Sequence, residues 1–157
     1  MMNKLLTVSA LSATLRSRRD RGERVVFTNG CFDLLHVGHT RFLQQARSLG
    51  DCLIVGLNSD ASVRSIKPGR PIVPESQRAE VLSALACVDH VVIFYEPDPH
   101  DLIKTVQPDV LVKGGDWPLD RIIGRDIVEA RGGRVLTIPL VPDISTTGIV
   151  QRIQNLP

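Results

Sequence analysis

Apolar residues fall along this chain in two alternating rhythms, short continuous runs and faces spaced for a helix. Leu5, Val8, Leu11 and Leu15 recur at helical spacing and predict a helix within residues 1–23, packed on the main body (24–157) or on a partner subunit. Arg24-Val-Val-Phe-Thr28 is a β-branched and aromatic run that breaks at Asn29-Gly30, as a strand ending in a turn does. The turn lasts to His39. Phe42, Leu43, Ala46 and Leu49 then form a helix face that Gly50 stops, and Cys52 to Leu57 is a near-continuous apolar strand of the kind covered on both faces. Asn58 to Pro74 has no periodicity and reads as a long loop. Beyond it a helix opening at Pro74-Glu75, with Val81, Leu82 and Leu85 apolar, leads to a strand at His90 to Phe94. A short helix near Asp101 to Val106 follows, then a strand at Val110 to Lys113. The remainder reads as a helix over Leu119 to Arg131, a strand at Arg134 to Ile138 and a last helix from Ser145 or Thr146.

Strands alternating with helices build right-handed crossover units, so the expected class is α/β: a Rossmann-like, mostly parallel five-stranded sheet with helices on both faces, in a single domain. Ligands of such sheets sit beyond the carboxyl ends of the strands. The polar clusters obey that demand, since Asn29 to His39, Asn58 to Asp60, Lys113 to Trp117 and Ser145 to Thr147 all follow strands.

Composition narrows the picture. With 157 residues, 43% of them hydrophobic, the chain has material for one core. Its 19 Lys and Arg against 17 Asp and Glu leave a formal +2, too small and dispersed to predict nucleic-acid binding, and a small anionic ligand fits better. Cys31, Cys52 and Cys87 are odd in number and far apart, which suggests neither a disulfide framework nor a structural zinc site, so a reducing cytoplasm is the natural compartment. The apolar stretch from Leu5 to Leu15 precedes its basic cluster, the reverse of a signal peptide. No window reaches the roughly 18 apolar residues of a membrane span.

The segment Thr28-Asn-Gly-Cys-Phe-Asp-Leu-Leu-His-Val-Gly-His39 places two imidazoles around a glycine at a strand-to-helix turn. Gly30 and Gly38 let backbone amides approach an anion, and the helix that follows adds the positive end of its dipole. His36 and His39 would converge on that anion as donors. As zinc ligands they lack the HExxH spacing and a third obvious ligand, although Cys31 is near in sequence. As core histidines they would be two independent accidents, and no GxGxxG or GxxxxGK[ST] loop is present.

These residues resemble the HxGH signature of the cytidylyltransferase-like nucleotidyltransferase superfamily. The resemblance runs from about Arg24 to Ile153 and includes Asn58-Ser-Asp60, Arg70-Pro71 with Gln77-Arg78, Lys113-Gly-Gly-Asp-Trp117 and Ile144-Ser-Thr-Thr147. It implies that His36 and His39 lie on the phosphates of a nucleoside triphosphate, with Lys67 as a mobile catalytic lysine. Asn29, Gly30, Cys31, Phe32, Gly38, Arg78, Lys113, Gly114 and Asp116 then become nucleotide contacts. Arg78 has the alternative of a surface pair with Glu75, Lys67 that of a solvated loop lysine, and Trp117 is either a pocket wall or a core aromatic. Ser145, Thr146 and Thr147 have the chemistry of an N-cap, but three hydroxyls in a row suit an anion cradle. Asp33 could orient the acceptor or the motif itself.

The cytidylyltransferase branch carries an arginine-led RTxGISTT motif, whereas this chain reads Leu140-Val-Pro-Asp-Ile-Ser-Thr-Thr147. The Lys113 to Trp117 segment looks like that of the heptose-phosphate adenylyltransferases. The resemblance thus implies ATP with Mg²⁺, a sugar phosphate acceptor and a homodimer, without protein side chains as metal ligands. Transfer of CTP to glycerol 3-phosphate, and a non-catalytic nucleotide-binding module, stay open as alternatives.

Overall fold

The computed structural model describes residues 4–115 and 117–157. In chain order its elements are α1 (Val8–Asp20), β1 (Val25–Gly30), α2 (Val37–Arg47), β2 (Cys52–Asn58), α3 (Asp60–Ile66), α4 (Glu75–Ser83) and β3 (His90–Phe94), then α5 (His100–Val106), β4 (Val110–Gly114), a 3-10 turn (Leu119–Arg121), α6 (Arg125–Ala130), β5 (Arg134–Ile138) and α7 (Thr146–Gln154). The five strands are all parallel, in the order β3-β2-β1-β4-β5, so the expected Rossmann-like class stands.

Helices cover both faces of the sheet, and each face has its own core. On one side Leu11 and Leu15 of α1 join Phe27, Ile54, Ile103 and Leu111; on the other Leu43 and Ala46 of α2 join Leu53, Val55 and Leu82. Burial on both faces is why the strands read as apolar runs without alternation. Leu5 and Val8 stay exposed, because Thr7 caps α1 at the amide of Ala10 and the residues before it pair with β3 at Val91. The N-terminal apolar face is therefore shorter than its periodicity predicts.

Two expectations need correction. The stretch after β2 is not a plain loop: Ser59 caps α3, whose single buried aliphatic residue, Val63, is too little to show a period. Nor is Leu119 to Arg131 one helix. Gly124 takes φ 89° there, and a Cβ on it would meet Ile103 of α5 at 2.7 Å, so the chain kinks to clear that side chain.

Strand β1 is paired with β2 through Gly30, but with β4 only at Val26 and Phe27. Beyond Phe27 the two central strands part. This is the point where strand order reverses, and the crevice it opens is the place such folds offer a ligand.

Candidate functional site

A cleft of about 370 Å³ fills that crevice. It collects Asn29, Gly30, Cys31 and Phe32 from the end of β1, His36, Gly38 and His39 from the start of α2, Lys67 from the end of α3, Lys113 and Gly114 from β4, and Ser145, Thr146 and Thr147 from the start of α7. The expected contact of Asp116 lies outside the described residues.

The histidines cap their own helix. The amide of Gly38 donates to His36 Nδ1 at 3.1 Å, and the amide of His36 donates to His39 Nδ1 at 3.3 Å. The rings stack with centroids 3.9 Å apart at 28°. A nitrogen that accepts from an amide carries no proton, so each neutral ring keeps its proton on Nε2 and presents a donor there. Burial pushes His39 down to about 4, with His36 and Lys67 acting in the same direction, and burial also lowers His36. Both rings are thus neutral donors of fixed tautomer at physiological pH. Gly38 is required for this arrangement: a Cβ there would stand 2.8 Å from the His36 ring.

Phe32, held at φ 46° and buried, tilts against His39 at 5.4 Å between centroids and forms its backing. Lys113 donates to Asn29 Oδ1 at 3.1 Å across the parted strands, and its ammonium lies 5.9 Å from the centre of the Trp117 ring. Trp117 is 55% exposed, which makes it a wall of the cleft and not a core aromatic.

At α7 the two readings of the hydroxyl run divide between residues. Ser145 is the cap, its Oγ accepting from the amide of Gly148 at 3.0 Å, while Thr146 donates to the carbonyl of Leu34 and ties α7 to the motif loop. Thr147 stands 3.4 Å from Arg70, whose guanidinium also reaches Asp33 at 3.3 Å. The anion-binding capacity of this end therefore lies in the first amides of α7 and in Arg70, more than in three free hydroxyls.

Two residues expected at ligands are engaged by the protein itself. Asp33 is buried and accepts from the amides of Ile72 and Val73 as well as from Arg70, so it holds the segment after α3 against the motif and has little left to orient a substrate. Arg78 does not line the cleft. Its fully buried guanidinium donates to the carbonyls of Val73, Cys31 and Asn58 and to Asp60 Oδ1, and its acidic partner is Asp60, not the Glu75 that helical spacing offered. Lys67 sits at the C-cap of α3 and lines the cleft.

One polar lining residue, Thr28, was given no role by the sequence reading, and Arg70 was named only as part of a motif. Thr28 has a buried hydroxyl with no partner among the described residues, placed where β1 and β4 part. Nothing in a strand-forming Thr signals that. Arg70 lines the cleft with its side chain mostly buried, held by Asp33 and near Thr147, a placement that its motif did not specify.

Burial brings the Lys113 ammonium down to about 8. A bound phosphate favours the protonated form, so the cleft should take up a proton on binding a phosphate-bearing ligand near and above that pH, and its affinity for such a ligand should weaken as pH increases through about 8. Titrating the dissociation constant of inorganic triphosphate across that range checks this, with Lys113→Met expected to weaken binding and flatten the limb. An unchanged limb in that variant would assign the titration to another group.

Residues 27–152 match the cytidylyltransferase-like family. The bifunctional protein HldE of Geotalea uraniireducens (strain Rf4) is 54% identical over 153 residues, which are 97% of this chain and 31% of that protein. The chain thus spans about a third of the length of the curated relatives it matches. Among solved structures, a lipopolysaccharide core biosynthesis protein from Thermoplasma volcanium GSS1 superposes with a TM-score of 0.63 at 30% identity, over 76% of this chain and 98% of that one. The pantoate-beta-alanine ligase of Francisella tularensis shares the fold, with a TM-score of 0.60 at 13% identity over 96% of this chain and 77% of the other. With its HxGH turn set in the crevice of a five-stranded parallel sheet, the chain belongs to the cytidylyltransferase-like family of nucleotidyltransferases.

Proposed function

We propose that this protein transfers AMP from ATP to D-glycero-β-D-manno-heptose 1-phosphate, releasing pyrophosphate and ADP-heptose for lipopolysaccharide precursor synthesis in the cytoplasm. The observation that carries the transfer chemistry is the pair of Nδ1-locked imidazoles at the head of α2. The choice of sugar is supported by the resemblance of Lys113 to Trp117 to the heptose-phosphate adenylyltransferases, by the 54% identity to HldE and by the likeness to a lipopolysaccharide core biosynthesis protein.

A phosphate oxygen of the sugar phosphate attacks the α-phosphorus in line. A new P–O bond forms as the bond from the α-phosphorus to the bridging oxygen breaks, and that oxygen leaves with the pyrophosphate. The nucleophile is a phosphate dianion with no proton to surrender, so no general base is required. The work left to the protein is alignment and charge compensation. The Nε2–H donors of His36 and His39 hold phosphate oxygens without a charge that pH could remove. Lys67, Lys113 and Arg70 supply cations around the same volume, and the first amides of α7 receive the far end of the triphosphate.

Imidazole N–H groups, hydroxyls, amides and cations suit phosphate oxygens. Among the described residues no three His, Cys, Asp or Glu side chains converge on one point. Mg²⁺ bound with the triphosphate would add charge neutralisation of the departing pyrophosphate.

The test is a panel. Pyrophosphate release should be at least about tenfold greater in kcat/KM with ATP than with CTP when the heptose 1-phosphate is the acceptor, a difference of ~1.4 kcal/mol. A preference for CTP with glycerol 3-phosphate would replace the adenylyl assignment. ATP binding without pyrophosphate release in the presence of any sugar phosphate would make the protein a nucleotide-binding module.

A further inference from the structure

A second cavity, of about 320 Å³, lies behind the wall formed by Lys113 and Trp117. It shares Asn29, Gly30, Cys31, Lys67, Lys113 and Trp117 with the first cleft, but neither histidine and none of the α7 residues. Its own walls come from the 3-10 turn after β4, through Arg121, Ile122 and Ile123, from the Pro97–Pro99 segment after β3, and from Asn58 at the end of β2.

In-line transfer fixes what such a pair of cavities can do. The leaving pyrophosphate and the incoming oxygen must stand on opposite sides of the α-phosphorus. The donors suited to the departing β- and γ-phosphates, the first amides of α7, belong to the first cleft, as do the histidines that would hold the transferring phosphoryl group. The nucleophile must then arrive from the side where the second cavity joins, and the α-phosphorus must sit at the shared wall.

We infer that this second cavity is the acceptor subsite, and that the Arg121-Ile122-Ile123 turn is its specificity-determining wall. The inference rests on the adenylyl-transfer reading above. The chemistry of the walls suits a phosphorylated polyol. Lys67 and Lys113 stand at the shared wall where the acceptor phosphate must enter, Arg121 adds a guanidinium at the rim, and the Asp98 carboxylate offers an acceptor for hydroxyls. Ile123, which is exposed beside the buried Ile122, gives the apolar C–H face of a sugar a surface to lie on.

Ile123 is 43% exposed and Arg121 is exposed, so Ile123→Tyr and Arg121→Gln should fold normally. With ATP saturating, Ile123→Tyr should raise KM for the heptose 1-phosphate at least about twentyfold by filling the cavity, and Arg121→Gln about tenfold, while ATP affinity by calorimetry stays within about twofold. Acceptor KM unmoved in both variants would overturn the subsite. So would a loss of ATP affinity equal to the loss for the acceptor, because the cavity would then belong to the nucleotide.

A readout independent of turnover separates this inference from the reaction it rests on. The chain has a single tryptophan, Trp117, and it stands in the shared wall. With α,β-methylene-ATP bound, heptose 1-phosphate should change its fluorescence saturably, and Arg121→Gln should shift that titration to about tenfold higher concentration. Saturable binding that Arg121→Gln weakens, without pyrophosphate release by the unmodified protein, would refute adenylyl transfer and leave the subsite standing. No saturable change in the unmodified protein would refute the subsite.

Discussion

Replacement of His39 or His36 by alanine is expected to lower kcat by about 10²–10³, equivalent to ~2.7–4 kcal/mol of transition-state stabilisation, with KM for ATP changed far less. The expectation follows from how the imidazoles are held. Each Nδ1 is occupied by a backbone amide, so the rings cannot turn, and each Nε2–H is aimed before the nucleotide arrives. A preorganised donor gains most when charge on the transferring group is greatest, which is why the loss falls on kcat.

The neutral state of the rings sharpens the test. Because His39 is held near 4, its contribution should not titrate between about pH 6 and 8, and any basic limb in that window belongs to Lys113 or to the substrates. The sign for stability is separate. An imidazole whose folded pKa lies below its unfolded value binds fewer protons when folded, so stability is lost as pH falls from about 6.5 towards 4. His36→Ala also removes the cap of α2, at a cost of about 1 kcal/mol, and a melting experiment should show a drop of only a few degrees. Turnover within about threefold of the unmodified protein in both variants would remove the histidines from the chemistry.

Local patterns were the most legible. The HxGH turn needs residues that are neighbours in sequence, so its motif could be read directly, and β3 and β5 keep the bounds that their apolar runs predict. Legibility failed where a residue's role depends on distant chain. Arg78 answers to Cys31, 47 positions away, and Asp33 to Ile72 and Val73, 39 and 40 positions away. No spacing in the sequence announces such pairings. Helix α3 was hidden because capping by Ser59, and not an apolar stripe, defines it. The hydroxyl run at α7 was legible as a group but not as individuals, since which of them caps depends on the entry angle of the chain.

The burial of Arg78 leads to the largest expected effect on stability. Its guanidinium has no exposed surface and binds three carbonyls and one carboxylate at 2.6–2.9 Å. Arg78→Ala would leave those acceptors facing a cavity, with the partly exposed Asp60 carboxylate losing its cation. Leaving three carbonyls without their donor costs about 1–3 kcal/mol each, so a total of roughly 3–5 kcal/mol is expected, a large share of the roughly 5–15 kcal/mol that holds a domain together. The melting temperature should fall by about 10 °C or more. Arg78→Lys should recover little, because a single ammonium cannot reach four acceptors laid out for a planar fork. Two of those acceptors are the carbonyls of Cys31, which lines both cavities, and of Asn58, which lines the second, at the ends of β1 and β2, so the part of the population that stays folded should also bind ATP poorly. A variant with unchanged melting temperature but raised KM for ATP would return Arg78 to the direct nucleotide contact that its motif suggests. Loss of both together is the signature of a residue that holds the two strand ends in place.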